Sequence, residues 1–173
     1  VALELNKTAH SMKATEMFQL EAVVVYASGV KKPIDATLLT YLSEDETVAK
    51  VNGNGLITGM IQTNYPKTTS VKVTYSFEYM VDGVFEQNSV VASCQVTVTK
   101  IPVEQIVIEN EADTVTLKIN EKYTLVSHVL PTNATNQTVS YKSSDKNVAK
   151  VSGDGVITAT GIGEAVITAY SKE

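Results

Sequence analysis

Val48-Ala49-Lys50-Val51-Asn52-Gly53-Asn54-Gly55-Leu56-Ile57-Thr58 returns almost unchanged as Val148-Ala149-Lys150-Val151-Ser152-Gly153-Asp154-Gly155-Val156-Ile157-Thr158, an offset of 100 residues. That period is longer than a solenoid unit and indicates two copies of one domain, each with its own core. Within each copy the valines flank a small residue and a lysine. Asn-Gly-Asn-Gly or Ser-Gly-Asp-Gly then supplies positive-φ positions that Gly, Asn and Asp adopt at low cost. The Leu-Ile-Thr or Val-Ile-Thr that follows suits a half-buried strand, so the stretch reads as a hairpin. A Gly-rich phosphate loop would instead open a helix, which the β-branched run does not.

Outward from the repeat, the chain is all-β. Residues 2–5 form a first strand and residues 18–26 a second, with residues 29–35 as a loop around Lys31, Lys32 and Pro33. Residues 36–42 form a strand ending at Tyr41, followed by an acidic turn at Ser43-Glu44-Asp45-Glu46, the repeated hairpin, and a loop from Ile61 to Ser70. From Val71 the alternation is clean: Val71, Val73, Tyr75, Phe77 and Tyr79 point one way, and Lys72, Thr74, Ser76 and Glu78 the other. Asp82-Gly83 is a strong two-residue turn signal, so this is a long hairpin arm that returns through Phe85 to about Thr99. No stretch carries a capped helix of ten residues. About seven strands with frequent turns predict a β-sandwich.

Pro102 marks the junction, giving domains at residues 1–100 and 101–173 joined by a short, restricted linker that predicts an elongated tandem. The second domain repeats the plan with strands at 115–119, 123–130 and 139–143 and the hairpin. Ala165-Val166-Ile167-Thr168 then matches Val71-Lys72-Val73-Thr74 at an offset of 94, which gives domain 1 six extra residues around Asn64-Tyr65-Pro66. On that alignment the second domain lacks its final strand. The expectation is that the natural protein continues, or that another chain completes the sheet.

Composition excludes several functions. The chain has 173 residues and a net charge of −5, spread over two mildly acidic halves. All 14 cationic residues are lysine, so the bidentate guanidinium used for phosphate and guanine is missing and no nucleic-acid partner is expected. No apolar run approaches the roughly 18 residues of a membrane span, so no membrane insertion is expected. No secretion signal is visible, and without an initiating methionine the chain reads as an excised fragment. Cys94, the single cysteine, excludes an intrachain disulfide and reads as a small buried hydrophobe.

Ser140 to Ala159, followed by Gly161, Gly163 and Ala165 to Ala169, resembles the bacterial immunoglobulin-like domain, group 2, with Tyr141 where that family commonly has tryptophan. Domain 1 matches through Thr40 to Ser43 and Val48 to Thr58, and carries a longer final hairpin in place of the Gly-x-Gly approach. The resemblance implies two tandem immunoglobulin-like sandwiches. Such domains occur in bacterial surface and secreted proteins and in phage virions, where they serve as spacers, adhesion modules or accessories to catalytic domains. It supplies no catalytic residue.

The residues themselves assign no catalytic, cofactor-binding or metal-binding position, and neither an enzyme nor a cofactor is expected. His10 and His128 lie in different domains, and His128 reads as a strand-face or edge residue. The carboxylates of Ser43 to Glu46 and of Glu109 to Asp113 lack the spaced pattern of a calcium loop and read as solvated turns. The glycosylation patterns at Asn6, Asn133 and Asn136 carry no meaning in a bacterial or phage protein. Tyr65 is the one aromatic considered for a carbohydrate or protein contact, with loop packing the stronger reading. The expected function is therefore a rigid, non-catalytic tandem spacer or adhesion module of a larger bacterial surface protein. Its partners would be neighbouring domains and a host-surface protein or polysaccharide. The alternative is a carbohydrate- or protein-binding module of a phage virion protein or a secreted glycan-degrading enzyme.

Overall fold

The computed structural model describes residues 1–62, 64–109 and 113–172. The chain divides into two compact units, Val1–Lys100 and Ile101–Glu173. Both are all-β apart from one 3-10 turn at Ala36–Leu38, and among the described residues no helix is long and apolar enough to cross a membrane.

Among the described residues unit 1 contains ten strands: β1 (Ala2–Leu5), β2 (Ala9–Lys13), β3 (Met17–Gln19), β4 (Ala22–Val25), β5 (Lys31–Pro33), β6 (Leu39–Ser43), β7 (Ala49–Val51), β8 (Leu56–Gly59), β9 (Lys67–Val81) and β10 (Val84–Thr99). They form sheets in the orders β1-β4-β5, β3-β8-β7 and β2-β10-β9-β6. The expected single strand at 18–26 is two strands, because the chain steps from one sheet to another at Leu20-Glu21. Leu20 is fully buried and its N–H donates to the Gly55 carbonyl (2.9 Å), while Asn6 clamps the step by donating to the Gln19 carbonyl (3.0 Å) and accepting from the Glu21 N–H (3.1 Å). The expected loop at 29–35 contains the edge strand β5, and the strand expected at 36–42 begins only at Leu39. β9 starts inside the expected 61–70 loop, at Lys67. β2 was not expected as a strand at all. It runs parallel to the end of β10, with Ala9 opposite Gln95 and Lys13 opposite Thr99.

The core lies between the four-stranded sheet, which contributes Met12, Leu39, Val71, Val73, Cys94, Val96 and Val98, and the shorter sheets, which contribute Leu5, Val24, Ala49 and Ile57. Alternation on β9 and β10 places these side chains on one face.

Unit 2 contains β11 (Gln105–Ile108), β12 (Lys122–Thr124), β13 (Ser127–Leu130), β14 (Ser140–Ser143), β15 (Ala149–Val151), β16 (Val156–Ala159) and β17 (Ile167–Tyr170). They form the sheets β11-β13, β12-β16-β15 and β14-β17. The expected strand at 123–130 is again split, as β12 and β13. Val115–Ile119 is not a strand. Its place matches β2: Lys118 N–H reaches the Glu121 carboxylate (2.8 Å) as Lys13 N–H reaches that of Glu16 (2.7 Å), and Asn120 and Thr15 both have positive φ, 71° and 67°. In unit 1 that segment pairs with β10, and among the described residues unit 2 has no counterpart of β10.

The alignment offset of the last matching strand is also corrected. Tyr41 faces Val73 and Tyr141 faces Ala169, so β17 follows β9 at an offset of 96, and unit 1 carries four extra residues there. A slip of two keeps every side chain on its face, which is why the alternation pattern did not reveal it.

Candidate functional site

The repeated hairpin is a packing device in both units. Gly55 has φ 80°, and a Cβ there would lie 2.6 Å from the Leu20 carbonyl oxygen and 2.8 Å from the Tyr41 ring. Gly155, at φ 77°, repeats this against Leu125 (3.0 Å) and Tyr141 (3.1 Å), whose hydroxyl shares a 2.5 Å hydrogen bond with that of Ser127. Burial, with Glu21 nearby, pushes the Tyr41 hydroxyl above its ordinary pKa. The turn amides a phosphate would need already have partners: Asn54 and Leu56 N–H donate to the Asn52 side chain (both 3.0 Å), and Gly55 N–H to the Asn52 carbonyl.

The acidic turn is likewise occupied. Asp45 accepts from the Thr47 hydroxyl (2.6 Å) and N–H (2.9 Å), which together with weaker contacts hold its carboxyl below the usual range. Glu44 pairs with Lys72 at 2.6 Å. Of the second acidic stretch, Asn110, Glu111 and Ala112 lie outside the described residues. Glu109 contacts His128 Nδ1 at 2.9 Å on the exposed flank of β13. Among the described residues no group of three His, Cys, Asp or Glu is placed to hold a metal ion.

His10 stacks on Phe18, with ring centroids 3.9 Å apart. Cys94 is fully buried, and burial pushes its thiol pKa up. Tyr65 is half-buried and its hydroxyl accepts the Gln62 N–H at 2.6 Å, so it packs its own loop. Gln62 also donates to the Thr47 carbonyl and lines a shallow depression with Glu46, Lys50, Met60 and Ile61. Two of the three glycosylation-pattern asparagines are engaged structurally: Asn6 in the strand step and Asn136 with Ser171 and Lys172.

The arm formed by β9 and β10 presents a surface that no single residue signals. β6 covers β9 only from Val71 to Tyr75, and β2 covers β10 only from Gln95 to Thr99. Beyond them the two strands pair only with each other, from Tyr75 opposite Val90 to Val81 opposite Val84. One face carries the ring series Tyr75, Phe77, Tyr79, with centroids 5.5 and 6.4 Å apart, continued by Val81 and Val84. The other carries Met80 opposite Phe85, exposed by 61% and 68%. Tyr79 donates its hydroxyl to Glu86 (2.7 Å), which raises the phenol's pKa, and Gln87 donates to Glu78 (3.3 Å). The turn is Asp82 at φ 48° and Gly83 at φ 82°, the primed geometry that fits the twist of a two-residue hairpin. The signal in the sequence was the alternation itself, which specifies faces but not what covers them.

Comparison with known proteins follows these divisions. The model of the bacterial Ig-like domain (group 2) matches residues 102–173. An Ig-like virion protein of Serratia phage KSP90 is 32% identical over 150 residues, covering 82% of this chain and 51% of that protein. That alignment is longer than either unit. The kappa-carrageenase of Pseudoalteromonas carrageenovora is 49% identical over 57 residues, 33% of this chain and 14% of the enzyme. The chain thus spans about half the length of the phage relative and far less of the carrageenase. Among solved structures, domains 4 and 5 of the S-layer protein SbsC align over 99% of this chain and 94% of theirs at 20% identity, with a TM-score of 0.39. Residues 102–173, nearly all of the second unit, are thus similar to the bacterial Ig-like domain (group 2) family.

Proposed function

We propose that the chain is a non-catalytic structural and adhesive module, two tandem Ig-like units within a larger extracellular protein borne on a bacterial surface or a phage particle. One observation carries the reading: the stretch the two units share most closely is occupied with packing a glycine turn on a core tyrosine, Gly55 on Tyr41 and Gly155 on Tyr141. The 32% identity to a virion protein over a length exceeding either unit supports a virion or surface setting. The test is to raise antibodies against residues 1–173 and label intact cells and purified phage particles of the source. Labelling of an outer surface is expected. A signal obtained only after lysis, or turnover by the purified chain in a glycan-hydrolysis panel, would overturn the proposal.

The second reading, an accessory module of a glycan-degrading enzyme, is favoured by the 57-residue match to the carrageenase. It predicts saturable binding of the chain to a neutral or sulfated galactan. The structural reading predicts none.

A further inference from the structure

We propose that the outer edge of the arm, along β10 from Val84 to Ser93, is a strand-addition site for an extended segment of a partner polypeptide in which lysine or arginine alternates with apolar residues. This goes beyond the structural role proposed above and does not depend on it.

The first ground is the edge itself. The arm's other margin, Ser76–Val81 of β9, is six residues long against ten for Val84–Ser93, and the remaining edge strands of unit 1 among the described residues (β1, β2, β3, β5, β6 and β7) are three to five residues long, several with a further block: Lys31, Lys32 and Pro33 on β5, Lys50 at the centre of β7, Lys13 at the end of β2. Short, lysine-bearing or proline-bearing edges are how sheets avoid unwanted pairing. The arm has none of these protections. From Val73 to Thr99 there is neither lysine nor proline, and along Val84–Ser93 the pairing seen among the described residues is with β9 alone. In a ladder alternate residues turn their N–H and C=O outward, the template used in β-augmentation; of the outward donors here, the Ser89 N–H is taken by Asn88 Oδ1 (2.8 Å), which an added strand would have to displace.

The second ground is geometry. The six steps from Tyr75 to Val81 carry the ribbon ~20 Å past the sheet at about 3.4 Å per residue. A two-stranded ribbon is marginal by itself, and a third strand is what makes it stable. An added strand would lie beside Phe85 on one face and Val84 on the other, both more than 60% exposed, so the apolar side chains of an alternating strand meet an exposed apolar residue whichever face they take.

The third ground is charge. Glu78, Asp82 and Glu86 are the arm's only ionic residues, with Glu86 on the tyrosine face and Glu78 on the opposite one. A cationic strand meets a carboxylate on either face. Nucleic acid, sulfated galactan and acidic peptides are repelled by the same three groups. This arrangement selects a basic polypeptide over a polyanion.

The test uses residues 1–173 and a fluorescein-labelled peptide, Lys-Val-Lys-Ile-Thr-Val-Lys-Val, with two control peptides: one with glutamate in place of lysine, the other N-methylated at alternate residues. Expected are saturable anisotropy for the basic peptide, at least tenfold weaker binding of both controls, and hydrogen-exchange protection confined to 84–93. The doubly reversed variant Glu78→Lys/Glu86→Lys should lose the basic peptide at least tenfold and gain the acidic one. Should that variant misfold, the N-methylated peptide still decides, since it leaves the protein untouched. Equal binding of the N-methylated peptide, protection elsewhere, or no binding overturns the proposal. Protection of 84–93 in the free protein that grows with its concentration would assign the edge to a second copy of this chain, and would also overturn it.

Discussion

Three glycines of unit 1 separate the contributions by which the repeated hairpin is held. Gly53 has nothing within 4 Å of a built Cβ and no positive φ. Gly29 also has open space but φ 81°, and Gly55 has both a positive φ and contacts at 2.6 and 2.8 Å. Replacing each with alanine therefore tests nothing, backbone strain, and strain plus clash in turn. Gly53→Ala should fall within about 0.5 kcal/mol of the parent, as surface substitutions do. Gly29→Ala should cost about 1 kcal/mol, the penalty of a left-handed conformation for an L-residue. Gly55→Ala adds an overpacking cost of roughly 2 kcal/mol, because the atom at 2.6 Å is a backbone oxygen that cannot swing aside, giving about 3 kcal/mol in all. With a urea slope of ~1.5 kcal/mol/M that total lowers the unit 1 midpoint by about 2 M. The measurement is urea unfolding followed by pulsed hydrogen exchange, which reports peptides of unit 1 and unit 2 separately within the whole chain. Gly155→Ala should shift unit 2 by less, since its contacts are 3.0 and 3.1 Å. If Gly55→Ala moves unit 1 no further than Gly29→Ala, the packing of the turn on Tyr41 is not what holds the hairpin, and the reasoning fails.

Other consequences follow from the same structure. Tyr141→Phe removes the 2.5 Å bond to Ser127 and should cost unit 2 about 1 kcal/mol in the same urea assay. Cys94, buried and with its thiol pKa raised, should resist a thiol-disulfide reagent in the folded protein and react in step with unit 1 unfolding. Rapid labelling without denaturant would contradict its placement. The carboxyls of Asp45 and Asp35 are held below their ordinary value of 3.8 by hydrogen bonds from Thr47 and Thr37, so they contribute stability above that pH and lose it as pH falls through their lower folded values. Asp45→Asn should therefore flatten the acid side of the unit 1 stability profile. Tyr41 has the opposite sign. Its pKa is raised above 10.0 by burial, so its contribution is complete below that pH and lost as pH rises through the higher folded value.

Local chemistry was readable wherever a short stretch determines its own conformation. Asp82-Gly83 and the two Gly-rich turns lie where the positive-φ residues place them, and β9 follows its alternation from Val71 outward. Non-local choices were not readable. The step at Leu20-Glu21 interrupts an apolar run that looks continuous, because what breaks it is Asn6, 15 residues away from Glu21. β2 becomes a strand by pairing with Gln95–Thr99 across nearly the whole unit, and the equivalent residues of unit 2 do not form one where that partner is lacking among the described residues. The arm was legible as a hairpin but not as a surface, because alternation assigns faces without saying whether another sheet packs on them.

That distinction shows how β10 can serve two ends of one unit. Its last residues, Val96 and Val98, are fully buried and close the core beside Met12, which is 3% exposed. At the corresponding places Ala14 of unit 1 is fully covered and Ile119 of unit 2 is 52% exposed. From Val84 to Ser89 the same strand pairs, among the described residues, with β9 alone. The two roles should separate cleanly if residues 76–81 and 84–89 are deleted, leaving Tyr75-Asp82-Gly83-Val90. Six residues leave each strand, so Tyr75 and Val90 remain paired, keep their faces and receive the turn that now joins Val81 to Val84. The removed side chains are largely exposed, so the unit 1 urea midpoint should move by less than about 0.5 M, while binding of the basic peptide disappears. A unit 1 that unfolds on this deletion would make the arm part of the fold's own support, and peptide binding that survives it would move the docking edge elsewhere.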